Sequence, residues 1–367
     1  MKIGRSHAPR IGRPLRVFVL SRREQGLRQV RAAFDANRES EPAPYGFNNA
    51  EKTGWEIRYS EDKPPTSQSA WFFQRYQFDL FHALNNLRAI RRADIVWTML
   101  EWEWMSVALL QRLRLAPRRP VIANSVWLSD KWRDYWPRRR TLLRRLMPRH
   151  FEMTLHSRRG LDYLRAEIPE VAWRVSPFGI STRGFPITPP AIARAPDRPI
   201  RVYSIGNDGT RDWSTMLEAF GNDPRFEVTI VCRWLDEKSL EKYSNLRSPR
   251  DLTISRQRRE YIDCDVVIMP MKENSFSGIT VVMEAVATGK PVVSTATGGV
   301  DTYFGSGEVL FVPPADPMAL RDAVLATSDS DFLARAKRAQ ARFIRDGYSA
   351  EAMVDRYIAD TKRLLDR

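Results

Sequence analysis

Cysteine, histidine, acidic residues and long apolar runs are all scarce here, and each shortage narrows what the chain can be. Only Cys232 and Cys264 occur in 367 residues, both in apolar runs that read as strands. Two packed thiols without a disulfide framework point to a reducing compartment. No apolar run approaches the ~20 residues that span a bilayer. The basic N-terminus holds only the short apolar stretch "VFVL", too brief for a secretory leader. A cytoplasmic protein is expected, at most peripheral on the inner face of the plasma membrane. The four histidines are His7, His82, His150 and His156, and none stands obviously beside a reacting group. The pair of acids in "DCD" (263–265) ends a helix and opens a buried strand, so no metal site is expected.

Acids are outnumbered, 44 against 59 Lys and Arg, for a net charge of +15. The excess is local. Residues 1–16 carry five basic residues and no acid. Residues 111–149 carry twelve against Asp130 and Asp134, and the rest of the chain is neutral. Such a patch seeks an anionic partner. Within it, residues 127–149 combine Trp127, Trp132, Tyr135 and Trp136 with a leucine stripe and clustered arginines. That pattern suits an anionic membrane surface.

What the sequence has in quantity is alternation. Short β-branched runs, such as "RVFVL" (16–20), "DIVWTM" (94–99), "IRVYSI" (200–205) and "CDVVIMP" (264–270), are separated by helical stretches. Continuous apolar strands between helices imply parallel sheets covered on both faces. The proline-rich stretch 181–199 reads as a linker. The fold expected is α/β: two facing doubly wound, Rossmann-like domains, 1–180 and 200–348, with a cleft between them. A last amphipathic helix, 349–367, could cross back to the first domain.

Glu284 is the residue that calls for chemistry. It lies inside the apolar part of a helix predicted to begin near Gly278 or Ile279. A helix start offers free N–H groups to an anion. Gly278 lets a ligand approach, and Ser277 and Thr280 add hydroxyls. Glu284 shares a face with Thr280 and leans back toward that end. A carboxylate there accepts two donors, as a ribose diol beside a diphosphate would supply. Gly298 and Gly299 remove side chains where a second group must come close. Glu101 and Glu103, just past the end of a strand, are placed to act on an acceptor hydroxyl. The segment 41–54 is a weaker candidate for the acceptor side.

The stretch "GITVVMEAVATGKPVVSTATGGVDTYF…GEVLFVPPADPMALRDAV" resembles the nucleotide-sugar half of family 4 retaining glycosyltransferases, of GT-B architecture and bacterial polysaccharide or lipopolysaccharide type. The resemblance implies that Glu284 holds the ribose of a nucleotide sugar. It implies a diphosphate-binding pair in "SIGNDGTRDW" (204–213), where Gly206 lines the loop. Arg211 matches the family's lysine, and Asn207 stands in place of its arginine; Arg233 or Lys272 could substitute. The family's first glutamate falls on Phe276, which leaves Glu273 as the candidate for the sugar. Of a glycine pair after the first strand, only Gly26 is present. The implied function is transfer of a hexose from a nucleotide sugar, UDP- or GDP-linked and without a metal or other cofactor, to a lipid-linked or saccharide acceptor in envelope or exopolysaccharide synthesis. An epimerase on the same fold and a basic nucleic-acid-binding protein are the rivals. Nucleic acid is not an expected partner, because no nucleic-acid motif is present.

Overall fold

The computed structural model describes residues 13–191, 198–250 and 252–366. Part of the basic N-terminal segment and part of the proline-rich linker lie outside the described residues.

Two six-stranded sheets form, and every pairing between their strands is parallel. The first contains β1 (Arg16–Leu20), β2 (Glu56–Tyr59), β3 (Ile95–Thr98), β4 (Val121–Ser125), β5 (Phe151–Leu155) and β6 (Trp173–Val175). Their order is β2-β1-β3-β4-β5-β6. The second contains β7 (Ile200–Ile205), β8 (Phe226–Val231), β9 (Leu246–Arg247), β10 (Val266–Met269), β11 (Val292–Thr295) and β12 (Leu310–Val312). Its order is β12-β11-β10-β7-β8-β9. Strands β3, β4, β5, β10 and β11 are buried at every residue, as in "IVWT" of β3 and "VVIM" of β10. That is why they read as unbroken apolar runs: helices cover both faces. The α/β class and the two doubly wound sheets are as expected.

Three local expectations change. Residues 69–90, which the sequence pattern reads as one helical stretch, are three helices, Ser67–Tyr76, Leu80–Asn85 and Leu87–Arg92. Gln77, at φ +56°, ends the first, and Asp79 caps the second through His82 N. Residues 131–147, which the pattern also reads as one helical stretch, are split before Pro137, which lacks the N–H a continuous helix needs. The helix Asp329–Arg345 was not anticipated.

The C-terminal helix Ala350–Leu365 lies against the first sheet. Met353, Val354, Tyr357 and Ile358 are buried with Val17, Phe47 and Trp97. The chain returns through a close crossing: Ile180 N donates to Tyr348 O at 3.0 Å and Ala350 N to Ile180 O at 2.7 Å. A Cβ on Gly179 would fall 2.1 Å from Ser349 O, so glycine is required there. The segment 41–54 takes part in this packing. Its helical part, Pro44–Thr53, buries Phe47 and Ala50 beneath the C-terminal helix.

Candidate functional site

The carboxyl ends of the two sheets face each other, where α/β folds of this kind bind ligands. On the second domain, the helix Ile279–Ala287 starts at Gly278, whose φ is +92°. The first internal bond runs from Val282 N to Gly278 O at 3.1 Å. The amides of Ile279, Thr280 and Val281 precede it and have no partner within the helix, the arrangement that suits an anion at a helix start. Thr280 is exposed beside them, and the Ser277 hydroxyl is buried without a partner. A Cβ on Gly278 would meet Met271 Sδ at 2.6 Å, so the left-handed turn and the tight packing both demand glycine.

Glu284 follows in the second turn, 8% exposed. Its Oε2 accepts from Tyr261 OH at 2.8 Å and from Gln257 Nε2 at 3.1 Å. Both donors sit on the helix Ile254–Asp263, four residues apart and so on one face. Burial pushes the Glu284 carboxyl up to about 7, against the pull of these two hydrogen bonds. It is therefore poised between its charged and neutral forms near neutrality. Neither Tyr261 nor Gln257 was anticipated. Their i, i+4 spacing in "QRREY" is the signal that could have found them.

The loop after β7 is already occupied by its own side chains. The Arg211 guanidinium lies over Gly206, where a Cβ would stand 2.2 Å from Nε. Arg211 is 6% exposed and pairs with Asp208 at 3.1 Å. It is locked into the loop, so as placed it is not free to hold a phosphate. Asn207 ties the loop to β8: its Oδ1 accepts from Arg233 N, and its carbonyl from Trp234 Nε1, each at 2.8 Å. The exposed cations on either side are Arg233 and Lys272, whose own N donates to Thr210 O.

The glycines after β11 do not clear room for a ligand. Gly298, at φ +77°, would put a Cβ 2.6 Å from Ser277 O, and Gly299 one 2.6 Å from Ile279 Cδ1. The close approach they permit is that of the 274–279 loop. Glu273, on the same loop, is exposed. It bonds Arg159 of the first domain at 2.9 Å and accepts from Thr297 Oγ1 at 3.3 Å.

On the first domain, Gly26 caps the helix Leu27–Asp35, and the Asp62 carboxylate accepts its N–H at 3.1 Å. A carboxylate of the chain itself thus takes that helix start. Glu103 turns back to cap its own helix, accepting from Met99 N at 2.7 Å and Leu100 N at 3.0 Å. Burial raises its carboxyl to about 8 in spite of those two amides. Its position is that of a capping residue, not of a base facing the cleft. Glu101 differs. Its Oε2 accepts from Val126 N and Trp127 N, past the end of β4, while its Oε1, like that of Glu103, is buried with no partner. Burial raises its carboxyl as well. His156 is buried. Its Nδ1 donates to Ser176 O at 2.7 Å, and its Nε2 accepts from Asn124 Nδ2 at 2.8 Å. Burial lowers its pKa to about 4, so it is a neutral structural ring.

Across the cleft, Phe276 meets Trp127 edge to face at 6.1 Å and packs on His156 at 5.8 Å. Ser275 N donates to Asp130 at 2.9 Å, and Arg158 N to Thr302 Oγ1 at 2.9 Å. The loop holding Glu273 and the helix holding Glu284 are thereby docked on the first domain. The structure brings together Ser277, Gly278, Ile279, Thr280 and Glu284. It sets Gly26 and Glu103 into local structure.

Residues 210–330 match the family model described as glycosyl transferases group 1. Over 173 residues the chain is 30% identical to a D-inositol 3-phosphate glycosyltransferase of Corynebacterium urealyticum, a span of 45% of this chain and 37% of that protein. The chain thus spans little more than a third of the length of that curated relative. Among solved structures, a sucrose-phosphate synthase from Thermosynechococcus elongatus superimposes with a TM-score of 0.72 at 16% identity, covering 96% of this chain and 99% of that one. HepE of Anabaena, solved in complex with UDP and glucose, gives 0.63 at 13% identity, covering 95% and 99%. A trehalose-phosphate synthase (UDP-forming) from Burkholderia vietnamiensis gives 0.63 at 13%, covering 95% and 100%. At such identities these structures establish the fold, two facing domains of GT-B architecture.

Proposed function

We propose that this chain, a group 1 glycosyl transferase on the GT-B fold, moves a sugar from a nucleotide sugar to a lipid-linked or saccharide acceptor with retention at the anomeric carbon. Residues 1–180 would bind the acceptor and residues 200–348 the donor. The observation that carries the reading is the Glu284 carboxylate. It is held by Tyr261 and Gln257 one turn behind a helix start that carries donors for a diphosphate. A ribose diol would donate to Glu284, and the diphosphate would sit at the amides of Ile279 and Thr280. Lys272 and Arg233 would supply the charge that the locked Arg211 does not. Together, helix dipole and cations would stabilise the leaving diphosphate as preorganised charge. UDP- or GDP-linked donors are the expected class; HepE's complexes with UDP and UDP-glucose favour uridine. Glu101, tied to the amides of Val126 and Trp127 beside the ring that meets Phe276 across the cleft, is the carboxylate best placed for the acceptor hydroxyl. Glu273, paired with Arg159, would hold the docking of the two domains. Polysaccharide or envelope synthesis is the process such an acceptor implies.

The test is acceptor-dependent release of nucleoside diphosphate, with the product's anomeric form read by NMR. Release without an acceptor alongside an altered sugar would favour the epimerase instead. Tyr261→Phe supplies a sharper check. It removes one hydrogen bond to a charged group, worth about 1.5–3 kcal/mol. Nucleoside diphosphate affinity should fall at least tenfold at pH 7. Because that bond favours the carboxylate, the pH at which affinity is halved should also move upward. Unchanged affinity and an unchanged pH profile would separate Tyr261 from the donor site.

A further inference from the structure

Away from the cleft, the first domain exposes aromatic and basic side chains that sugar transfer does not use. Trp71 is 60% exposed and Trp136 50% exposed. We infer that the helices Ser67–Tyr76 and Pro137–Leu146 together form a docking surface for an anionic lipid bilayer.

The surface is only in part the one the sequence suggests. In Pro137–Leu146 and the residue after it, most of the leucine stripe is spent inside: Leu143, Leu146 and Met147 are buried in the first domain's core. Arg140 pairs with Glu167 and Arg144 with Glu170. What remains outside is Arg138, Leu142 and Arg145, all exposed. Their i, i+4, i+7 spacing places them on one stripe. Trp136 stands at the head of this helix. The other half comes from Ser67–Tyr76. Trp71 and Arg75 share a stripe, and the Tyr76 ring lies edge-on to Trp71 at 6.2 Å.

The two halves are fastened together. Arg139 Nη2 donates to Tyr76 O at 3.0 Å, and Lys131 Nζ to Gln77 Oε1 at 3.1 Å. Arg139 lies 3.9 Å over the Tyr135 ring and within electrostatic reach of Arg75, so like charges crowd this edge. Asp134 and Glu170 are exposed acids nearby. With Asp130 and Asp134 counted, residues 111–149 still carry an excess of ten positive charges. Half-exposed indoles with flanking arginines match an interface with an apolar interior and anionic headgroups. A soluble polyanion would answer the arginines but leave Trp71, Trp136 and Leu142 in water. The position also serves the cleft. Phe73, on the same helix as Trp71, meets Trp102 edge-on at 6.1 Å, and Trp102 adjoins Glu101. Docking would bring the bilayer to the acceptor side.

The test is co-sedimentation of the full chain with phosphatidylcholine vesicles, with and without phosphatidylglycerol, and it does not depend on sugar transfer. Wild-type protein should bind only the phosphatidylglycerol vesicles, and less as salt rises. The pair Arg75→Ser and Arg138→Ser should weaken binding about thirtyfold, from roughly fivefold per charge at the surface. The pair Trp71→Ser and Trp136→Ser should weaken it at least tenfold. Ile344→Ser, an exposed apolar site on the second domain, should bind as wild type does. All these side chains are exposed, so thermal midpoints should stay unchanged. No binding by wild type, or loss with the arginine pair but not the tryptophan pair, would overturn the inference. The second outcome would mean a soluble polyanion site.

Discussion

Glu284→Gln should make the protein more stable at pH 8 while stripping it of donor affinity. The folded-state value of this carboxyl is about 7, against an ordinary 4.5, because burial disfavours its charge. Between these values the folded protein holds a proton that the unfolded chain releases. Its contribution to stability is therefore fully present below pH 4.5 and is lost as pH rises through 7. The loss comes to about 3 kcal/mol above neutrality. Glutamine keeps the shape and an acceptor for Tyr261 and Gln257, without the charge. In denaturant titrations, the variant and the wild type should agree near pH 4.5. The variant should then exceed the wild type by about 3 kcal/mol at pH 8. A carboxylate kept at this cost in a buried place is a functional-site signature. Binding should run the opposite way. A diol donates to the charged form, so wild-type affinity should fall as pH drops through 7, and the variant should lose at least tenfold at pH 8. A variant no more stable at pH 8 than wild type would show that Glu284 is not held under strain.

Tyr357→Ala should be the most damaging substitution outside the cleft. Tyr357 is fully buried, edge-on to Phe47 at 5.0 Å and to Trp97 at 5.3 Å, and its OH donates to Thr98 O at 3.0 Å. Removing a buried aromatic ring costs about 3–5 kcal/mol. Here the ring also anchors the C-terminal helix, alongside Trp97 Nε1 donating to Thr361 Oγ1 at 2.9 Å. The helix carries the chain from the second domain onto the first sheet, so its release should loosen the cleft as well. Denaturant unfolding should show the loss, and proteolysis should cut first near Gly347–Ser349. A change under about 1 kcal/mol would mean that the helix is not held through this ring.

The strands were legible because burial on both faces turns each into a run of apolar residues. β9 was missed because two residues, Leu246 and Arg247, make no run. The Asp329–Arg345 helix was missed for a different reason. Its buried stripe is Phe332, Ala336, Ala339 and Phe343, and two alanines mark a face poorly among so many charges. The helix Ile279–Ala287 was legible from Gly278 and Glu284 because helix geometry alone relates them. The roles of Gly26, Gly298 and Glu103 were not. Each depends on what the fold puts beside it: Asp62, the 274–279 loop and two backbone amides, all joined through contacts that spacing does not encode.

The most direct measurement is calorimetric titration of the purified chain with a panel of nucleoside diphosphates and their sugars, repeated on Glu284→Ala and Glu103→Gln. One diphosphate should bind the wild type, bind Glu103→Gln similarly, and be lost with Glu284→Ala. Equal binding to wild type and Glu284→Ala, or no binding by any diphosphate, would contradict a nucleotide-sugar site at this helix.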